Sequence, residues 1–262
     1  MAPRSRRLPG LDPDGVMPIP DAAHPIIYFK AMLRGFTVLL AARRGSQDRA
    51  EALSERAYES FARSVEADLQ EGGPIACRGG CADCCTIRVA ATAPEILSVV
   101  RKVRALPQRV GREVMQKIVA ADRATRELNQ QQRMASRLIC PLIENDHCVV
   151  YAVRPLACRG HASYDQDACR EALEGGENEV PVSALHLTVR SLVQNALQAA
   201  LRDAGLAWGV YELNQALRIA LCDETCERSW MAGVDVFAPA LITDVSLKEM
   251  AETFDAIKAM RA

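Results

Sequence analysis

The stretch Thr92-Ala-Pro-Glu-Ile-Leu-Ser-Val-Val-Arg-Lys-Val-Arg-Ala-Leu106 decides the fold class. Thr92, Pro94 and Glu95 mark a helix start, because a hydroxyl and a carboxylate at Thr-x-x-Glu spacing satisfy amides that the first turn leaves free. Ile96, Val99, Val100, Val103 and Leu106 then recur every three or four positions and fall on one helical face. Upstream, Leu53, Ala57, Phe61, Val65 and Leu69 keep the same period; downstream, Val110, Val114, Ile118, Ala121 and Leu128 continue it. It returns in Leu185, Val189, Leu192, Ala196 and Ala200, a helix expected to end near Gly205, and in Leu213, Leu217 and Leu221. Ser246 and Glu249 make a second capping box ahead of Leu247, Met250, Phe254 and Ile257. These stripes read as core. Thr86 to Ala91 is a short extended candidate, and Pro141 to Tyr164 reads as irregular and rich in turn residues. Strands do not alternate with helices. The expected fold is mainly α, a helical domain with an irregular cysteine-rich metal-binding region and at most a short strand pair.

The 262 residues, about half of them apolar, suffice for a hydrophobic core without disulfides. Residues 1–25, broken by Pro9, Pro13, Pro18 and Pro20, are expected to be a disordered leader and not a secretory signal. Residues 26–262 are expected to form one helical domain, with a cysteine-cluster region at 75–170 and C-terminal helices at 181–262. Ile26 to Ala42 is the most apolar stretch, but Lys30 and Arg34 interrupt it and it falls short of a span, so no membrane partner is expected. With 32 basic and 33 acidic residues the net charge is -1, which gives no global field for nucleic acid. A cytoplasmic location follows as an expectation.

In a reducing compartment, ten cysteines are better read as ligands or redox groups than as disulfides. Eight lie between Cys77 and Cys169. The first cluster is Cys77-Arg-Gly-Gly-Cys81-Ala-Asp-Cys84-Cys85, where Gly79 and Gly80 allow a tight turn. The second runs Cys140-Pro-Leu-Ile-Glu-Asn-Asp-His-Cys148-Val-Val-Tyr151-Ala-Val-Arg154-Pro155-Leu-Ala-Cys158-Arg159, and Cys169 follows. One lone thiol is most simply a small buried apolar residue; eight in this arrangement are not. Cys77, Cys81, Cys84, Cys85, Cys140, Cys148, Cys158 and Cys169 are therefore the candidate metal ligands. Thiolate donors suit zinc, copper(I) or an iron-sulfur cluster, and exclude magnesium and calcium as natural occupants. Arg78, Arg154 and Arg159 lie beside them and can offset their negative charge. Adjacent Cys84 and Cys85 are expected to point in different directions.

The combined CxxxCxxCC, Cys-Pro and Cys-x2-Tyr-x2-Arg-Pro-x2-Cys-Arg pattern resembles the YkgJ-like cysteine-cluster family, which is described as zinc- or iron-chelating. The resemblance covers roughly residues 75 to 170, with Ala93-Pro94-Glu95 as the helix start after the leading motif. It implies chelation of zinc or iron and leaves activity open. The leading motif is also similar to that of flagellin lysine N-methylase, which implies an iron-sulfur enzyme as the alternative: a methyltransferase-like protein modifier using S-adenosylmethionine, or a redox protein. Cys77-x3-Cys81-x2-Cys84 further resembles radical S-adenosylmethionine enzymes, as does Gly175-Gly176-Glu177. Asp83 stands where those enzymes place an aromatic, and the barrel they share has no counterpart in this pattern.

His147 and His161 border the second cluster and are read as hydrogen-bonded loop residues, not ligands. His24 and His186 read as structural. Tyr151 is expected to pack on the metal loop through its ring and to bond through its hydroxyl. Cys222 and Cys226 are expected one helical turn apart, as packing residues. No protein partner or substrate is legible.

Overall fold

A computed structural model describes residues 25–66, 74–176 and 179–260. Most of the leader expected at 1–25, together with His24, Leu69 and Glu177, lies outside the described residues. Among them are eleven α-helices and four very short strands, so the chain is mainly α. The helices are α1 (Pro25–Ala42), α2 (Arg49–Glu66), α3 (Ala93–Arg104), α4 (Gln108–Thr125), α5 (Gln130–Ser136), α6 (Leu156–Gly160), α7 (Gln166–Glu174), α8 (Ala184–Asp203), α9 (Leu213–Cys222), α10 (Cys226–Met231) and α11 (Leu247–Ala259). The strands are β1 (Ala90–Thr92), β2 (Ile143–Glu144), β3 (His147–Cys148) and β4 (Val210–Glu212). They make two antiparallel pairs, one more than expected.

The first pair organises the centre. β1 and β4 align Ala90 with Glu212, Ala91 with Tyr211 and Thr92 with Val210. Each strand runs straight into a helix, β1 into α3 and β4 into α9, and the Leu213 amide donates to the Val89 carbonyl at 3.0 Å. Thr86–Ala91, expected to be extended, pairs only at its end, because residues 74–89 are spent on turns.

The Thr92 capping box forms as the sequence implies, and α3 buries Ile96, Leu97, Val99, Val100 and Val103. Its last turn faces outward through Arg101, which pairs with Glu51 of α2 and Glu227 of α10, each at 2.8 Å. The stripe expected to run from Val110 to Leu128 stops at Thr125, and its buried face holds Asp122, a polar residue, beside Val114 and Ile118. Asp122 is fully buried and pairs with Arg126 and with Arg218 of α9.

By length and composition α1 is apolar enough to cross a membrane, with mean hydropathy 1.4. Here its Tyr28, Phe29, Met32, Phe36 and Leu40 are buried, and it packs against α8. Small residues on α8, among them Ala196, Ala199 and Ala200, are fully enclosed and permit close helix approach. One continuous core cluster runs from Tyr28 to Phe254. Cys222 ends α9 exposed, whereas Cys226 starts α10 buried, so these thiols do not share the helix expected for them.

Candidate metal centre

The two cysteine clusters meet. The leading one lies on turns between α2 and β1, with Gly80 at φ +88°, a backbone that favours glycine. The trailing one is carried by the β2–β3 hairpin and α6. Asn145 and Asp146 take positive φ at the hairpin tip, residue types that tolerate it. Register then sets Cys148 opposite Ile143. The clusters are stitched together by backbone: the Cys140 amide donates to the Cys85 carbonyl at 2.6 Å, and the Ala76 amide to the Ser163 carbonyl at 2.9 Å. The Ser163 amide also donates to Cys77 Sγ at 3.3 Å.

Cys77, Cys81, Cys84, Cys85, Cys140, Cys148 and Cys158 all line one cavity of about 820 Å³. Cys169, on α7, lines instead an adjoining cavity of about 350 Å³, and Cys84 belongs to the walls of both. Asp165 caps α7 by accepting from the amides of Asp167 and Ala168. Gln166 reaches Asp83 Oδ2 at 3.0 Å and ties α7 to the leading cluster. Cys84 and Cys85, expected to point in different directions, both line the main cavity, and Cys84 alone also faces the second. All ten thiols are free. Among the described residues no three Cys, His, Asp or Glu side chains form a ready group around a single point.

Burial is the first cause that raises Cys81, Cys140, Cys148, Cys158 and Cys169 above an ordinary thiol. It pushes Cys140 up to about 12, with a smaller push from neighbouring Cys148. It raises Cys158 strongly, helped by Cys140 and Cys84, whereas in Cys84 the bond to Cys85 is the first cause and burial the second. Without a cation such thiols stay protonated, since charge in a partly dry cavity is costly. A thiophilic cation reverses that balance by binding the deprotonated form. The donor set, sulfur without a competing carboxylate on the main cavity wall save Glu66, fits zinc or iron.

Cationic groups surround the thiols. Arg154 lowers the cost of ionising Cys84, Cys148 and Cys158. Arg159 donates to the carbonyls of Arg154 and Ala152 and stacks 4.2 Å over Tyr58. Arg190 of α8, invisible in the sequence pattern, lies near Cys158 and presses its stem on Gly160, where an added Cβ would stand 2.5 Å from Arg190 Cδ.

Glu95 does more than cap α3. It is fully buried; Oε2 accepts from the Thr92 amide and hydroxyl at 2.8 and 2.7 Å, and Oε1 accepts from the Leu156 amide at 2.6 Å. The helix start after the first cluster thus holds the start of α6, which carries Cys158.

Residues 76–176 match the family described as "CxxCxxCC: Putative zinc- or iron-chelating domain". It is the family that the two motifs resemble. No curated protein and no solved structure matches the chain. The CxxCxxCC segment ends soon after α7, so Arg190, Tyr211 and Leu213, which support or line the site, come from outside it.

Within the segment, His161 lines both cavities, and burial, then Arg190, lowers its pKa toward the neutral imidazole. His147 stays exposed and bonds the Asn145 carbonyl through Nδ1. His186 bonds Ser183 and meets Phe61 edge-on at the cavity wall. Tyr151 packs by its ring against Arg154 as expected, but its hydroxyl has no hydrogen bond among the described residues, because the residue is 41% exposed. The sequence names the cysteines and places His161 beside the second cluster as a loop residue; it has no signal for Arg190, which reaches the site only by tertiary contact.

Proposed function

We propose that this chain is a metal-chelating protein in which Cys77, Cys81, Cys84, Cys85, Cys140, Cys148, Cys158 and Cys169 hold iron as an iron-sulfur centre. The observation that carries the reading is that thiols 55 residues apart, Cys85 and Cys140, reach one cavity wall and are joined there by backbone. Iron-sulfur chemistry is taken over a single zinc ion because the eight thiols of the two clusters exceed the four ligands that one zinc ion takes. Cysteine thiolates are the usual ligands of iron-sulfur clusters. Cys169 joins through the wall it shares with Cys84. The reading is of one helical domain over 26–262 in the cytoplasm, where free thiols persist, with the metal as partner.

Metal and acid-labile sulfide content, with a visible spectrum, on protein purified without oxygen tests this. Iron with sulfide and absorption near 400 nm is expected. Zinc without sulfide would replace the iron assignment; neither metal would remove the chelation reading altogether. Cys81→Ser is expected to cut metal content sharply and Cys222→Ser to leave it unchanged; equal content in both refutes the ligand assignment. The size of the cavity favours one second reading, an enzyme that transfers electrons or methyl groups. S-adenosylmethionine binding to the same preparation separates the methyl-transfer version.

A further inference from the structure

The cysteine-lined cavity exceeds what a metal centre needs, and the surplus is apolar. A tetrahedral thiolate site closes at about 2.3 Å from metal to sulfur, and an iron-sulfur cluster built of such sites still occupies only on the order of 100 Å³, against about 820 Å³ here. Away from the thiols the wall is built by Phe61, Val65, Ile75, Val89, Val150 and Leu213. Chambers of roughly 300–1,000 Å³ with an apolar wall and few polar groups are the usual form of sites for small organic molecules.

The charged groups on the wall specify the other end of such a molecule. Arg78, Arg154 and Arg159 line it against one carboxylate, Glu66. Arg159 is committed to two backbone carbonyls and to the Tyr58 ring. Arg154 has no carboxylate partner among the described residues; the acidic groups near it are the thiols of Cys84, Cys148 and Cys158. Its guanidinium lies 4.2 Å over the Tyr151 ring, and its Nε is buried without a hydrogen-bond acceptor. A buried donor left unpaired is costly, and a carboxylate matches the guanidinium fork in shape and charge.

We propose that the cavity binds a small organic carboxylate with an apolar tail, its carboxylate facing Arg154 and its tail along the apolar wall. The proposal rests on the chelation reading only in that ligand and metal share the chamber.

Octanoate is the probe, titrated calorimetrically into the full chain purified without oxygen, with metal content measured on every sample and with octanol and acetate as comparisons. Octanoate is expected to bind, and octanol and acetate to bind about tenfold more weakly or worse. Arg154→Gln should weaken octanoate about tenfold or more, the scale of a lost charged hydrogen bond. Ile75→Trp fills the tail region beside the Cys77 turn and should abolish octanoate binding, with metal content on the same sample showing that the leading cluster keeps its place. Failure of metal-replete protein to bind octanoate overturns the proposal and leaves the chelation reading standing. Equal affinity for octanol and octanoate overturns it, as does octanoate affinity unchanged in Ile75→Trp. Protein that binds octanoate but holds no metal sinks the chelation reading alone.

Discussion

Glu95 shows how one side chain serves two places in the chain. Its carboxylate closes the first turn of α3 and fixes the Leu156 amide two residues before Cys158. Glu95→Ala removes both, leaving a helix start and a buried amide without acceptors, which costs about 2–4 kcal/mol in all. Chemical denaturation should report that loss, and metal content should fall with it, whereas Ser246→Ala, at the exposed capping box of α11, should cost about 1 kcal/mol and spare the metal. Gly160→Ala drives a methyl group into Arg190 and is expected to displace α6, lowering both stability and metal content. In the sequence, Glu95 is legible only as a cap. Its second bond spans 61 positions, and no local pattern encodes a contact at that range.

At the scale of elements, the helix starts at Thr92 and Ser246 and the apolar faces of α2, α3, α8 and α9 were legible, because caps and periodicity are local signals. The end of α4 was not, since Asp122 sits on its buried face and finds one partner just past the helix end, Arg126, and another on α9, Arg218. Asp122→Ala leaves Arg126 and Arg218 facing each other without an anion. Both remain about one-third exposed, so the expected loss is roughly 2 kcal/mol, below that of a fully buried pair. Thermal denaturation measures it. The hold of α11 on α8 depends on acid. Arg202, then Lys258, keeps the Asp255 carboxyl down to about 2, below its ordinary value of 3.8. Its contribution is therefore complete above about pH 4 and fades as pH falls through 2. Hydrogen exchange in α11 should quicken over that window while α3 stays protected.

For the molecule as a whole, the fold divides by what holds each part. α1, α2, α8 and α9 bury large apolar faces, whereas 74–89 are mostly turns and 140–160 hold only short strands and helical turns, whose order depends on backbone stitches and thiol chemistry. Stripping the metal is expected to open those two stretches to protease and to lower the melting temperature, while helical signal persists. The mainly α class follows from sequence, and the cysteines with Arg78, Arg154 and Arg159 beside them are legible there, but the cavity, Arg190 and the apolar wall arise from contacts between α2, β1, α6, α8 and β4 that no spacing rule reaches.

The pairing of β1 with β4 gives the CxxCxxCC segment a debt outside its own borders. Tyr211 lies beside Ala91, Leu213 lines the cavity, and Arg190 packs against Gly160. An excised 76–176 fragment would lack all three, and with them the edge on which its first strand forms. Such a fragment should keep the cysteine signature and lose the receptacle, so peptides cut to the motif are poor stand-ins for the protein, and partners sought with them will be sought on a surface the intact chain does not present.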